Sequence, residues 1–244
     1  MNRILTALLL VSLFAAPALA GKYDFAIPSE LGNDTFKSLI KEAGAMVAYR
    51  GVAPAEPAGT TGFDIGVEAS FVKVNSNLWD LVLDSGDTPG YVVVPKVHVR
   101  KGLPFDIDLG VSYAMVPDSN IQVLGGEIQY AIIDGSAVLP ALALRGHYST
   151  LLGVDDLDLA VYGGDLVLSK GVLFLTPYIG AGVLKTKGEY KGNASQSEPL
   201  DDYSETTQRV FGGVQIAMAL LRITLDAEYA DEVPVYTAKL SLGW

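Results

Sequence analysis

Leu221-Arg222-Ile223-Thr224-Leu225-Asp226-Ala227-Glu228-Tyr229 decides the reading of this chain. Its apolar residues hold the odd positions and its polar ones the even positions. A helix would scatter Arg222, Thr224, Asp226 and Glu228 around its axis, whereas successive side chains of a strand point to opposite faces. The same period returns in Phe63, Ile65, Val67, Ala69 and Phe71 against Asp64, Gly66, Glu68 and Ser70. It returns again in Phe105, Ile107, Leu109, Val111 and Tyr113 against Asp106, Asp108, Gly110 and Ser112. Similar stretches near 91–100, 121–132, 137–148, 156–168, 172–186, 207–219 and 234–244 bring the expected number of strands to ten, with eight or twelve if a weak segment is misread. Each is near or above the roughly 9–11 residues with which a tilted strand crosses a bilayer.

The remaining composition agrees with an all-β chain in a membrane. Half of the 244 residues are hydrophobic, which sets the chain apart from disordered sequences. There is no cysteine, so disulfide scaffolds, thiolate metal sites and cysteine nucleophiles are excluded. A net charge of -11 argues against nucleic acid as a partner. Residues 1–20 read as a cleavable export signal: Arg3 supplies the basic start, residues 4–16 the apolar run, and Ala18-Leu19-Ala20 the small-residue cleavage site. Its loss leaves 16 basic against 28 acidic residues, a net charge of -12.

Alternation alone also fits a soluble barrel. Here one face of each strand is almost wholly apolar, with aromatics toward the strand ends, and the other mixes charges with small residues. Apolar-out and polar-in suits a lipid environment. Short turns at 101–103, 133–136, 169–171 and 220 alternate with mostly longer connections at 75–90, 116–120, 149–155 and 187–206. Outer-membrane barrels pair short periplasmic turns with long external loops and keep both chain ends periplasmic, which requires an even strand number.

The C-terminal strand, with Tyr236, Ala238, Leu240, Leu242 and Trp244 at every second position, resembles the terminal strand of Gram-negative outer-membrane β-barrel proteins. The resemblance covers residues 60–244 by architecture. It implies a location in the outer membrane, with lipid and the barrel-assembly machinery, which reads that terminal pattern, as partners. Gly62-Phe63-Asp64-Ile65-Gly66, Lys101-Gly102-Leu103-Pro104-Phe105 and 176–182 look like marks of an uncharacterised barrel family and bring no function with them.

Residues 21–59 form a separate extension. Asn33 or Asp34 can cap a helix whose Phe36, Leu39, Ile40, Ala43 and Val47 form one stripe, and 53–59 reads as a stiff linker. The extension is a plug or periplasmic latch, a helix resting on the barrel mouth, or a contributor of an extra strand at 45–51.

Apolar residues facing lipid leave an inward set of Asp64, Glu68, Asp106, Asp108, Glu127, Asp158, Asp226 and Glu228 with Lys96, Arg100, Arg145, Arg209, Arg222, Lys239, His98 and His147. So balanced a set predicts a paired network, because an isolated buried charge costs several kcal/mol. Eight strands enclose a lumen just filled by side chains and sixteen an open channel, so ten predict a filled or narrow one. No metal motif, cofactor motif or catalytic constellation stands out. Gly125-Gly126, Gly163-Gly164 and Gly212-Gly213 lie inside strands, where glycine marks bends or close packing on aromatic rings. Tyr130, Tyr148, Tyr162, Tyr178 and Tyr229 read as interfacial girdles. The sequence therefore indicates a non-enzymatic outer-membrane barrel, structural or a narrow channel for small or apolar solutes. The alternatives are a rim-active hydrolase and a receptor or adhesin. His147-Tyr148-Ser149 resembles the His-x-Ser of lipid A deacylases, and His147 with Asp155 and Asp156 resembles the rim site of omptin proteases. In the deacylase pattern the position of the orienting acid holds Val161.

Overall fold

The structure, a computed structural model, describes residues 23–83, 88–192, 200–230 and 232–244. The export signal at 1–20 lies outside them, as does part of the long connection at 187–206. Helix α1 (Asn33–Val47) comes first, then β1 (Phe63–Lys73). The one-turn helix α2 (Ser76–Trp79) follows, then β2 (Tyr91–Leu103), β3 (Ile107–Met115), β4 (Gln122–Asp134), β5 (Ala141–Leu152) and β6 (Leu157–Ser169). The chain ends with β7 (Leu175–Tyr190), β8 (Tyr203–Met218), β9 (Leu221–Ala230) and β10 (Val233–Gly243). Each strand pairs antiparallel with its neighbours in sequence, and β1 closes the ring on β10 from Asp64↔Gly243 to Val72↔Val235. The fold is a closed ten-stranded antiparallel β-barrel, in which every strand is paired on both sides over most of its length.

The barrel has two distinct ends. At the turn end Phe63 N–H donates to Trp244 O, and positive φ at Phe105, Asp106, Leu173 and Ala219 bends the tight turns. The longer connections gather at the other, loop end. Between them the outer face is apolar: Ile65, Val67, Val99, Leu109, Val111, Leu124, Ile128, Leu144, Leu166, Ile179, Val183, Val210, Leu225, Leu240 and Leu242 are all exposed. Phe71, Tyr91, Tyr148, Tyr229 and Tyr236 are exposed toward the loop end, and Tyr130 and Trp244 toward the turn end. Among the described residues no helix is long and apolar enough to cross a membrane. A closed barrel, apolar outside and charged inside, is the architecture of outer-membrane β-barrel proteins.

Several strands depart from the expected pattern. β2 runs on to Leu103, which moves the turn to 104–106 and places Asp106 in it at φ 57 rather than in the lumen. β6 has the opposite phase to the one expected: Leu157, Leu159 and Val161 point inward, and Asp158 points out, its side chain 72% exposed. The long connection is also shorter, because β7 and β8 each extend to 16 residues and stand above the ring.

Residues 23–62 account for the β6 phase. Tyr23 N–H donates to Asp118 O and Ala26 N–H to Val82 O, so this segment starts among the loops. Helix α1 then descends inside the barrel, with Gly32 at its N-cap rather than Asn33 or Asp34. Asn33 instead accepts the Asp201 N–H through Oδ1 at 2.9 Å. Below Val47 the chain continues, outside any strand ladder, to β1 at the turn end. The barrel is thus crossed an eleventh time, through its middle. Tyr23 and Trp244 lie at opposite ends, whereas ten crossings alone would put both ends of the chain on one side.

Candidate functional site

The lumen is the site, and it has two halves. Around α1 the wall is apolar: Phe36, Leu39, Ile40, Ala43 and Val47 join Leu157, Leu159, Val161, Leu184, Val72, Val94 and Val235 in one buried cluster. The stripe on α1 finds its apolar partner inside the barrel, so inward positions of the loop-end half must be apolar as well. Contact is close enough that a β-carbon on Gly44 would come within 2.6 Å of the Thr186 hydroxyl.

Below the helix the segment 48–58 has no ladder of its own, yet its backbone is buried. Side chains of the wall supply its hydrogen bonds. Arg209 Nη1 donates to Tyr49 O at 2.9 Å, and Arg145 donates to Gly51 O and, at 3.1 Å, to Ala53 O. Lys239 Nζ donates to Val52 O at 3.0 Å and Gln129 Nε2 to Ala55 O at 3.2 Å. Ala55 N–H donates to Ser169 Oγ at 2.9 Å, and Ala58 N–H to Asp108 Oδ1 at 3.0 Å. Each bond satisfies a buried peptide group that a strand or helix would otherwise satisfy. The approach is tight at Gly51, where a β-carbon would meet the Glu127 carboxylate and the Arg145 guanidinium and displace both.

These donors are held by carboxylates. Arg209 donates to both oxygens of Asp165 and lies 3.3 Å from Glu228, which also meets Arg50 at 3.3 Å. Glu127 lies 3.2 Å from Arg145 and 3.9 Å from Arg100, and Arg100 donates to Asp108 at 2.7 Å. Lys96 pairs with Glu68 at 2.7 Å, and His98 bridges Glu68 and Asp64. Lys239 meets Asp64 at 2.9 Å and Arg222 meets it at 3.5 Å. Tyr178 donates its hydroxyl to Asp226 at 2.7 Å. Of the charged residues expected in the lumen, Asp64, Glu68, Lys96, Arg100, Asp108, Glu127, Arg145, Arg209, Arg222, Asp226, Glu228 and Lys239 meet there, and Asp106 and Asp158 do not.

Other residues of this network escaped the sequence reading. Asp165 did so because a phase for β6 read from Leu157 and Leu159 as lipid-facing puts Asp165 on the outside. Arg50 and Tyr49 did so because they lie in the extension. Tyr178 is buried in the wall rather than in a girdle. Two of the six glycines follow the aromatic-packing reading: a β-carbon on Gly125 would lie 2.7 Å from the Tyr49 ring, and one on Gly213 2.5 Å from the Tyr178 hydroxyl.

The rim-hydrolase alternative loses its geometry. His147 is not at the rim. It is buried at mid-barrel, stacked on Tyr49 with ring centroids 6.2 Å apart, and faces Asp165 and Arg209. Ser149 is fully buried. Asp155 and Asp156 lie in the β5–β6 connection, away from both. Among the described residues no cluster of histidine and carboxylate side chains is arranged to hold a metal ion.

At the turn end a cavity of about 190 Å³ lies between Asp64, Arg100, Gln215, Arg222 and Trp244, and residues 53–58 line it from the lumen. Glu56 faces the same end, where its carboxylate accepts the Gly171 N–H at 3.1 Å. Burial raises the pKa of that carboxyl above its ordinary range, against the pull of Gly171, Ser169 and Lys170.

No family model and no curated protein matches this sequence. Among solved structures it is similar to Ail of Yersinia pestis, with 18% identity over 75% of this chain and 95% of that one and a TM-score of 0.30. It is also similar to the N-terminal β-barrel domain of Pseudomonas aeruginosa OprF, with 14% identity over 76% and 99% and a TM-score of 0.32. The β domain of the Bordetella autotransporter BrkA gives 11% identity over 75% and 99% and a TM-score of 0.36. The architectural assignment rests on the closed ladder and the apolar outer face rather than on these likenesses.

Proposed function

We propose that the protein is an integral outer-membrane barrel plugged by its own N-terminal segment, with a structural or surface-presenting role rather than that of an open pore. The supporting observation is the eleventh crossing. Residues 33–58 fill the lumen from mouth to mouth, and the wall charges of the turn-end half are spent on the backbone of 49–58. A solute path would require that segment to leave, exposing buried arginines and carboxylates whose pairing is worth several kcal/mol. In this reading the export signal is removed after Ala20, and the terminal strand with Tyr236, Ala238, Leu240, Leu242 and Trp244 is read by the barrel-assembly machinery. Residues 23–31 and the long loops then face the cell exterior, with lipid A and phospholipid around the belt.

Planar-bilayer recording tests the plug. The intact chain is expected to be electrically silent, and a variant lacking residues 33–58 to conduct. Heat-dependent electrophoretic mobility checks that each protein is a folded barrel. Steady conductance from the intact, folded chain overturns the reading.

A further inference from the structure

The rungs between β2 and β3 run from Leu103↔Ile107 to Lys96↔Ala114 and end there. Tyr91 to Pro95 extend five residues further, paired with β1 alone. The next rung would join Pro95 to Met115, and Pro95 has no N–H to give it. The wall is therefore split at the loop end, between the upper part of β2 and the β3–β4 hairpin.

Behind the split lies an apolar cavity of about 220 Å³. Met46 of α1 and Trp79 of α2 line it from within, Val116 and Ile121 from the hairpin, and Tyr91 and Val93 at its outer lip. The lip residues are lipid-facing, 44% and 43% exposed, in the same row as Phe71, which pairs with Val93. Residues 23–26 tie the two sides of the split together from above, through Tyr23 to Asp118 and Ala26 to Val82. The cavity thus has a roof toward the loops and a side opening toward the belt. Apolar cavities of about 150 Å³ already hold a benzene-sized ligand, so this one has room for a segment of hydrocarbon chain.

We infer that this split is a lateral binding site for one acyl chain of a membrane lipid, which enters between β2 and the β3–β4 hairpin and ends against Trp79. The inference shares with the proposed function only the placement of the belt in a bilayer. It does not depend on whether the lumen conducts.

The chain's two tryptophans make the test direct. In a Trp244→Phe variant, which keeps an aromatic terminus, Trp79 is the sole tryptophan, buried from the bulk membrane at 2% exposure. The variant is refolded into vesicles of phospholipid brominated along one acyl chain, and folding is checked by heat-dependent mobility. Bromine quenches only on near contact, so Trp79 should lose most of its emission. Adding Val116→Phe, which fills the cavity, should restore it in a barrel that still shows the mobility shift. Trp79 emission unchanged by brominated phospholipid in the folded barrel overturns the inference. So does equal quenching with and without Val116→Phe. Quenching only by brominated fatty acid supplied from the water, and not by brominated phospholipid, overturns lateral access.

Discussion

The two halves of the lumen solve one problem in opposite ways. At the loop end an amphipathic helix satisfies its own backbone, and the wall has only to match its apolar stripe in shape. At the turn end an irregular chain brings naked peptide groups inside, and the wall must answer them one by one with arginine, lysine, glutamine, serine and aspartate. What a barrel wall shows to its interior is therefore set by the secondary structure of what fills it. Transferring apolar side chains onto the helix gains roughly 25 cal/mol per Å² and tolerates sliding. A hydrogen-bonded cradle tolerates little, because a lost partner leaves a buried group unsatisfied.

The comparison is broken most severely at Arg145. This side chain is almost fully buried, faces Glu127 and Gln129, and donates to the carbonyls of Gly51 and Ala53. Arg145→Ala leaves a buried carboxylate and two carbonyls without it. The expected cost is about 3–5 kcal/mol, read from denaturant unfolding of the folded barrel in detergent micelles. Arg145→Lys restores the charge but not the fork, so it should recover only part of that loss. A full recovery by lysine would mean that charge alone holds the segment, and the cradle argument would fail.

In the helical half the corresponding change is steric. A β-carbon on Gly44 meets Thr186 Oγ1 at 2.6 Å and Cγ2 at 2.7 Å. Gly44→Ala should cost about 1–3 kcal/mol by overpacking, despite the better helix propensity of alanine. Thr186→Ala removes both atoms, so the same substitution in that background should cost little. A double-mutant cycle in denaturant checks the coupling. Additive effects would show that α1 does not press on β7 there.

These halves also explain what the sequence could tell. β9, whose lower inward residues are Thr224, Asp226 and Glu228, alternates cleanly because its lumen side faces the polar half. β6 does not: Leu157, Leu159 and Val161 face α1 while Leu166 and Leu168 face outward, so both faces are apolar and the period carries no phase. Reading Leu157 and Leu159 as lipid-facing places Asp158 inside and leaves out Asp165. The phase was recoverable only by knowing that the stripe Phe36, Leu39, Ile40 lies inside the barrel, and that is a long-range fact. The acids and bases of the network were legible as a set because their strands alternate. Their shared role, holding the backbone of 48–58, was not, since nothing local marks an irregular segment as buried.

The finest discrimination falls on Glu56, at the boundary between cradle and solvent. Its carboxyl is raised above the ordinary value of 4.5 chiefly by burial, with Gly171, Ser169 and Lys170 pulling the other way. A raised carboxyl pKa means that the folded state prefers the proton. Its contribution to stability is complete below the unfolded-state value, is lost as pH climbs through the folded-state value, and is gone above both. Glu56→Gln keeps an oxygen for the Gly171 N–H and carries no charge. The difference between wild type and variant should therefore change across the acid range in the direction that favours wild type at low pH. At neutral pH the variant should be as stable or more so, by about 0–1 kcal/mol for so partly buried a group. Comparing the two proteins at each pH cancels every other carboxylate that titrates there. If the variant is instead the less stable at neutral pH, the attraction of Lys170 outweighs desolvation. The turn end of the lumen would then be held as a surface ion pair rather than as the buried cradle found above it.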